Sequence, residues 1–251
     1  DSEHLPIARF GGVLTAVTRP VSGRVAGQAS LIQLDGWTVP DMTIDATAGL
    51  VVSWPSGKDR REPLKKLNDF FDEAGRYQAA RAAADEALWP GVDPRFEAML
   101  PYLSGAKPVI IEASTRLQID EALEFIKTRS LKGIIGGGQD AWKVAEKLAE
   151  QHIPVIIDPV FQAPLEGYDP YDTPWANAGR LHDAGVAIAF RTDDAAHAHT
   201  LPFNAGRSVA FGLPEAAAVR SLTLEPAKIL GVDDRLGSLT PGKWATLIIT
   251  D

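Results

Sequence analysis

Six charged side chains stand at the ends of short apolar runs. Glu112 follows "VII" in "KPVIIEAS", Asp158 closes "VIID", and Asp193 and Asp194 end "GVAIAFRTDD". Arg19 lies at the end of "GVLTAVTRP", and Arg191 directly precedes Thr192. If these runs are parallel strands, their ends gather at one mouth, and Trp54 at the end of "GLVVSW" joins them. Gathered carboxylates can work as acid/base pairs with pKa values pushed apart, or bind a hard cation. They can equally form a solvated rim paired with Arg19 and Arg191. The residue types leave both open. His197 and His199, in "HAH", have the spacing of a metal pair and could meet Asp193 or Asp194. They also fit ordinary loop histidines, since so short a motif often matches by accident. In "LKGIIGGGQDAWKV", Gly137 is the middle of a glycine triplet between a strand and a helix. Backbone N–H groups there could hold an anion. The stretch matches neither the P-loop nor the dinucleotide fingerprint, so a tight turn is the stronger reading.

The elements that must position these groups alternate. Apolar runs fall at 12–20, 30–34, 49–54, 107–114, 131–137, 153–160 and 185–194. The later ones are continuous rather than alternating, as expected of parallel strands covered on both faces. Between them, residues 116–129 place Leu117, Ala122, Leu123 and Ile126 near one helical face, and 139–151 do so with Trp142, Ala145, Leu148 and Ala149. The βαβα order predicts an α/β fold, and the count suits a (βα)8 barrel that lacks one strand. Residues 61–88 predict a long helical insertion, solvated along the barrel rim. Near the end, Leu213-Pro214 and Glu225-Pro226 open two short helices, Gly231 closes the second, and "RLGSLTPGK" and "WATLIIT" read as strands.

Composition removes several classes. The 251 residues suit one large domain. A formal charge of −8 opposes binding to nucleic acid, because phosphates need basic partners. With no cysteine there is no disulfide, thiolate zinc site or cysteine nucleophile, which fits a cytoplasmic or an exported protein. No apolar run approaches the ~18 residues of a spanning helix. "DSEHLPIARF" lacks the pattern of a signal peptide and does not begin with methionine, so the chain is expected to be trimmed.

The C-terminal block carries a resemblance. Thr223, Pro226, Ala227, Ile229, Leu230, Gly231, Arg235, Gly237, Ser238, Pro241, Gly242, Lys243, Ala245 and Leu247 match a run that closes the barrel in amidohydrolase-superfamily proteins. The run is similar in particular to that of the imidazolonepropionase-like group. Thr246 departs from it, standing where the family usually has aspartate. Residues 11–20, 140–149 and 177–194 also resemble the family. The resemblance implies a distorted (β/α)8 barrel over residues 1–235, here without its first strand. Residues 236–251 would begin a small β-sandwich built from both ends of a longer protein.

What the family does is metal-assisted hydrolysis of C–N bonds in small cyclic amides or related substrates. Its divalent metal, commonly zinc, activates a bound water. The resemblance puts Val51 where a metal-ligating lysine is expected, and Glu112 and Gly137 where histidines are. His4 lies too near the second strand to belong to the family's first-strand pair. Asp193 alone is retained, so a complete binuclear centre is not expected. If the chain is active, Asp193 is metal ligand and general base, and Glu112 a second ligand or acid/base. Arg19, Trp54, Gly137, Asp158, Arg191, Asp194, His197 and His199 are then expected to meet a small molecule in the barrel mouth. The alternatives are a metal-free binding protein and a non-catalytic partner subunit. A homo-oligomer, or a hetero-oligomer with a related amidohydrolase, follows from the same resemblance.

Overall fold

The computed structural model describes residues 3–83 and 89–249. Seven strands form one sheet in chain order: β1 (Thr15–Thr18), β2 (Val25–Gln33), β3 (Thr43–Ser53), β4 (Val109–Ala113), β5 (Gly133–Gly137), β6 (Val155–Ile157) and β7 (Ile188–Phe190). From β3 to β7 every pairing is parallel, as the continuous apolar runs predict. The first two pairings are antiparallel, contrary to an all-parallel barrel. The connections explain this: the few residues between β1 and β2, and between β2 and β3, cannot hold a crossover helix. The apolar runs at 30–34 and 49–54 are only the ends of these long strands. Their other halves, "VAGQA" and "TIDATA", are small or polar, and the pairing carries register shifts.

The sheet curls into an incomplete barrel with helices on its outside. Val51, Ile110, Ile134 and Ala189 point inward and meet in one cluster with Ala29 and Ile229, joined by Val17 and Ile156. The alternate residues Val52, Val109, Ile111, Ile135, Val155, Ile157, Ile188 and Phe190 face outward into the larger core. The described helices begin with α1 (His4–Phe10) and α2 (Val39–Met42); α3 (Arg61–Arg81), α4 (Pro94–Leu103), α5 (Arg116–Thr128) and α7 (Thr173–Asp183) complete that core, and α8 (Leu201–Val209) and α9 (Glu215–Leu222) follow. The helix α10 (Leu224–Leu230) seats Ile229 among the inward residues, and Ala227 with Val232 and Leu236 against Leu31 and Ala48.

Local sequence sets the helices. Thr115 and Gln118 form a capping box that starts α5, an arrangement that contributes about 1 kcal/mol. Ala122, Leu123 and Ile126 of α5 are buried as expected, and so is Ile119, whereas Leu117 is exposed. The helix expected over 139–151 is divided into a 3-10 turn at Ala141–Val144 and α6 (Ala145–Glu150). Val144, at φ −132°, is outside helical geometry and makes the break. The insertion helix is α3 rather than a solvated rim; its Leu67, Phe71, Ala74 and Tyr77 are buried, with Phe71 edge-on to Phe125 at 5.0 Å. The end of that predicted helix, residues 84–88, lies outside the described residues. Gly231 closes α10 as expected. The two strands expected after it do not form: residues 232–249 run in turns and irregular chain, with no described strand beside them to complete a ladder.

Candidate active site at the barrel mouth

Strand alternation builds the site. Two residues beyond an inward-facing apolar side chain, the next inward position carries charge or none: Glu112 after Ile110, Gly136 after Ile134, Asp158 after Ile156, and Arg191 after Ala189. The ladder runs on past the formal strand ends, with Asp158 N–H donating to Gly137 O at 3.1 Å and Arg191 N–H to Ile157 O at 3.0 Å. Arg191 is the centre of the group. Its two Nη donate to the two oxygens of Glu112 at 2.9 and 2.7 Å, and its Nε donates to Asp158 Oδ1 at 2.7 Å. Asp193 Oδ1 lies 3.7 Å from Nε. Arg19 pairs with Asp193 and reaches Glu112 Oε1 at 3.6 Å. This joins the end of β1 to the end of β7, the two open edges of the sheet. Asp193 has a left-handed backbone, φ 58°, a conformation Asp tolerates better than most residues.

The electrostatics follow from the count. Three carboxylates face two guanidinium groups, and Glu112, Asp158, Arg19 and Arg191 have side chains less than a fifth exposed. Burial pulls the Arg191 guanidinium down, but the hydrogen bonds and charge of Glu112, with Asp158 and Asp193, outweigh it and hold the group charged. Asp158 is left under-compensated. Burial pushes its carboxyl up from the ordinary value, Arg191 opposes this, and Asp193 and Glu112 add to it. Its Oδ2 has no hydrogen-bond partner among the described residues. Asp158 lines a narrow cleft with about 10 Å³ of free space, room for about one water, with Gly137, Asp140, Val160, Leu165 and Asp169 among the walls.

The glycines make room for this group. A Cβ on Gly136 would sit 2.8 Å from Glu112 Oε1, inside the space the carboxylate needs. Gly137 has φ +94°, and a Cβ there would meet Ser114 Oγ at 2.6 Å. The triplet is therefore not the expected turn: Gly136 and Gly137 end β5, fitted against side chains, and an imidazole at 137 would be strained. Residues not singled out in the sequence hold the surrounding loops. Asn177, buried, donates to Gly138 O at 2.9 Å and accepts from Trp142 N–H at 3.2 Å. Asn204 accepts from Val160 N–H at 2.9 Å. Lys143 joins Asp140 at 2.9 Å to Asp169 at 2.7 Å, tying the loop after β6 to the start of α6. Gly136 could have been found from the period-two spacing; the asparagines carry no local signal.

Of the sequence-predicted residues, Glu112, Asp158, Asp193, Arg19 and Arg191 come together. Others do not. Trp54 is 4% exposed in the outer core, edge-on to Phe125 at 5.3 Å, with its indole N–H donating to Glu121 at 3.0 Å. Asp194 is exposed, accepts from Ala196 N–H at 2.8 Å and lies 3.2 Å from His197 Nδ1. The Ala196 bond and His197 hold its carboxyl below the ordinary range. His199 packs beside Gly11 with its Nδ1 buried and unpartnered. Val51 is fully buried in the apolar layer beneath the mouth. Among the described residues no group of three or more His, Cys, Asp or Glu side chains is placed to hold a metal ion. The mouth carboxylates surround a guanidinium instead.

The sequence has no match among curated proteins. The fold is shared with an amidohydrolase from Thermotoga maritima MSB8 at TM-score 0.82 and 24% identity, over 96% of this chain and 67% of that one. An uncharacterized protein is similar at TM-score 0.50 and 16% identity, over 80% of this chain and 48% of that one. The chain thus spans about two thirds of the first protein's length and half of the second's. The model of the amidohydrolase family matches residues 172–251. Residues 172–251 therefore match the amidohydrolase family model, and the chain shares its fold with an amidohydrolase.

Proposed function

We propose that this chain is the barrel portion, residues 1–235, and the start of the small β domain, residues 236–251, of an imidazolonepropionase-like amidohydrolase relative. Its mouth binds a small polar molecule without a family-type metal centre. The observation that carries this is the Arg191 guanidinium, which fills the point where Glu112, Asp158 and Asp193 converge. A guanidinium seated among the carboxylates already supplies positive charge there and repels a metal ion. Metal analysis of the protein purified in added zinc tests the proposal. Well under one equivalent per chain is expected; one tightly held equivalent would overturn it.

A second reading, a hydrolase of C–N bonds, is favoured by Asp158 alone. It is a partly buried carboxyl with a raised pKa and a free Oδ2 on a cleft, as a general acid would be. In that case turnover of a small cyclic amide is abolished by Asp158→Asn. Glu112 and Asp193, engaged by Arg191 and Arg19, would then position Asp158 rather than act themselves.

A further inference from the structure

At the end of the barrel opposite the mouth, the starts of β5, β6 and β7 and one side of α10 frame a second cavity, open on one side. Its free space is about 380 Å³, within the range of small-molecule sites, whereas the mouth cleft holds about 10 Å³. Ile134, Ile153 and Ile229 line it and are buried, and Pro154 beside them carries no N–H, so these walls offer water little to bond. The charges lie at the rim. Glu225 is taken by Arg220, and Lys228 stands 3.9 Å from it. Lys132 has no ion pair among the described residues, and its Nζ lies on the α10 side, 3.8 Å from where a Cβ on Gly231 would stand. Gln151 and His152 add hydrogen-bonding groups. Two lysines against one glutamate leave this rim a cation to spare, in a chain whose formal charge is −8.

We infer that this cavity is a second binding site, for a small monocarboxylate whose aryl or branched-chain body fills the apolar part and whose carboxylate meets Lys132 and Lys228. Removal of the apolar body from water drives entry, and the lysines fix which end faces out. One spare positive charge matches a singly charged carboxylate. A dianionic phosphate would bring a second charge with no partner at the rim. The site stands apart from the mouth: Ile110 and Ala189, in the dry inward cluster with Ile134 and Ile229, lie between the two. Neither reading depends on the other.

Calorimetric titration of the full chain with 3-phenylpropanoate tests this, with 3-phenylpropan-1-ol as the neutral counterpart. The chain is expected to take up one molecule of the acid and to bind the alcohol about fivefold more weakly. Lys132→Gln should weaken the acid about fivefold and leave the alcohol unchanged. Ala187→Phe, at an exposed position on the cavity wall, should abolish uptake of both without lowering the melting temperature. No uptake by the unmodified chain at millimolar acid, equal affinity for acid and alcohol, or acid binding retained in Ala187→Phe overturns the proposal. Light scattering covers a further outcome: self-association that excludes the acid and ends with Ala187→Phe would assign the cavity to a second copy and overturn the proposal too. If Ala187→Phe does not fold, methyl NMR of the unmodified chain decides. The acid should move the Ile134, Ile153 and Ile229 signals, whereas movement confined to residues of the mouth overturns the proposal.

Discussion

Two rows of side chains on the same strands, one pleat apart, have opposite chemistry. In the lower row, Val51, Ile110, Ile134 and Ala189 form a dry floor closed from beneath by Ile229. In the upper row, Glu112, Asp158 and Arg191 form a charged layer over that floor, with Gly136 as its gap. Each floor residue contributes through the apolar area it removes from water, so its effect is largely its own. Each mouth residue matters only as a member of a group, since a buried charge is tolerable only when paired. The curl of the sheet belongs to the floor, and the selectivity of the mouth to the upper row.

The largest effect should come from breaking the group. Arg191→Met leaves Glu112 and Asp158 without their cation and is expected to cost about 3–5 kcal/mol in urea unfolding at neutral pH. Glu112→Leu/Arg191→Met, which brings floor chemistry to the upper row, should regain at least half of that loss. Simple additivity of the two substitutions would show that the row is not a group. Next comes the floor. Ile134→Ala, at a site 1% exposed, should cost about 2–5 kcal/mol and be insensitive to salt. A matching rescue by any substitution in the mouth would erase the distinction between the rows.

How much of this was legible follows the same division. The four later apolar runs are readable because a strand covered on both faces must be apolar throughout. That same uniformity hid which residues face inward, since Ile110 and Ile111 look alike in sequence yet lie in different cores. Only the charged residue that ends each run, Glu112, Asp158 or Arg191, betrays the phase. The antiparallel start was missed because "VAGQA" and "TIDATA" carry no strong strand pattern. The residue types allow either a solvated rim paired with Arg19 and Arg191 or a working group of carboxylates. The observed group is mostly buried, and burial is a tertiary property that no local pattern encodes. Trp54 and the "HAH" histidines were placed at the mouth by proximity in sequence. A residue at a strand end faces inward or outward by parity, and Trp54 has the outward parity of Val52.

A smaller effect should come from the gap between the rows. Gly136→Ala puts a methyl 2.8 Å from Glu112 Oε1. A free carboxylate would swing aside, but this one is pinned by the Arg191 fork, so the expected cost is about 1–3 kcal/mol. In an Arg191→Met background the same substitution should cost much less, because the carboxylate can then move. Equal cost in both backgrounds would mean that the glycine is needed for backbone reasons alone.

The smallest effect separates two carboxylates by the sign of their pH dependence. Burial raises Asp158 above its ordinary 3.8, so the folded chain keeps this proton to higher pH than the unfolded chain does. As pH rises through 3.8 the unfolded state loses the proton first. Stability from this group therefore falls until the folded carboxyl has also ionised, and is flat above that point. At Asp45 burial also acts upward, but the Lys107 hydrogen bond, with Thr47 and the Lys107 charge, outweighs it and leaves the carboxyl below its ordinary value. Its contribution is present above 3.8 and is lost as pH falls through the folded value. Urea unfolding of Asp158→Asn and Asp45→Asn across the acidic range should thus give difference curves of opposite slope. The Asp158 difference lies on the alkaline side of 3.8 and the Asp45 difference on the acid side. If Asp158→Asn showed the Asp45 pattern, Arg191 would be compensating both of its carboxylates in full, and the mouth would have no free acid to offer a ligand.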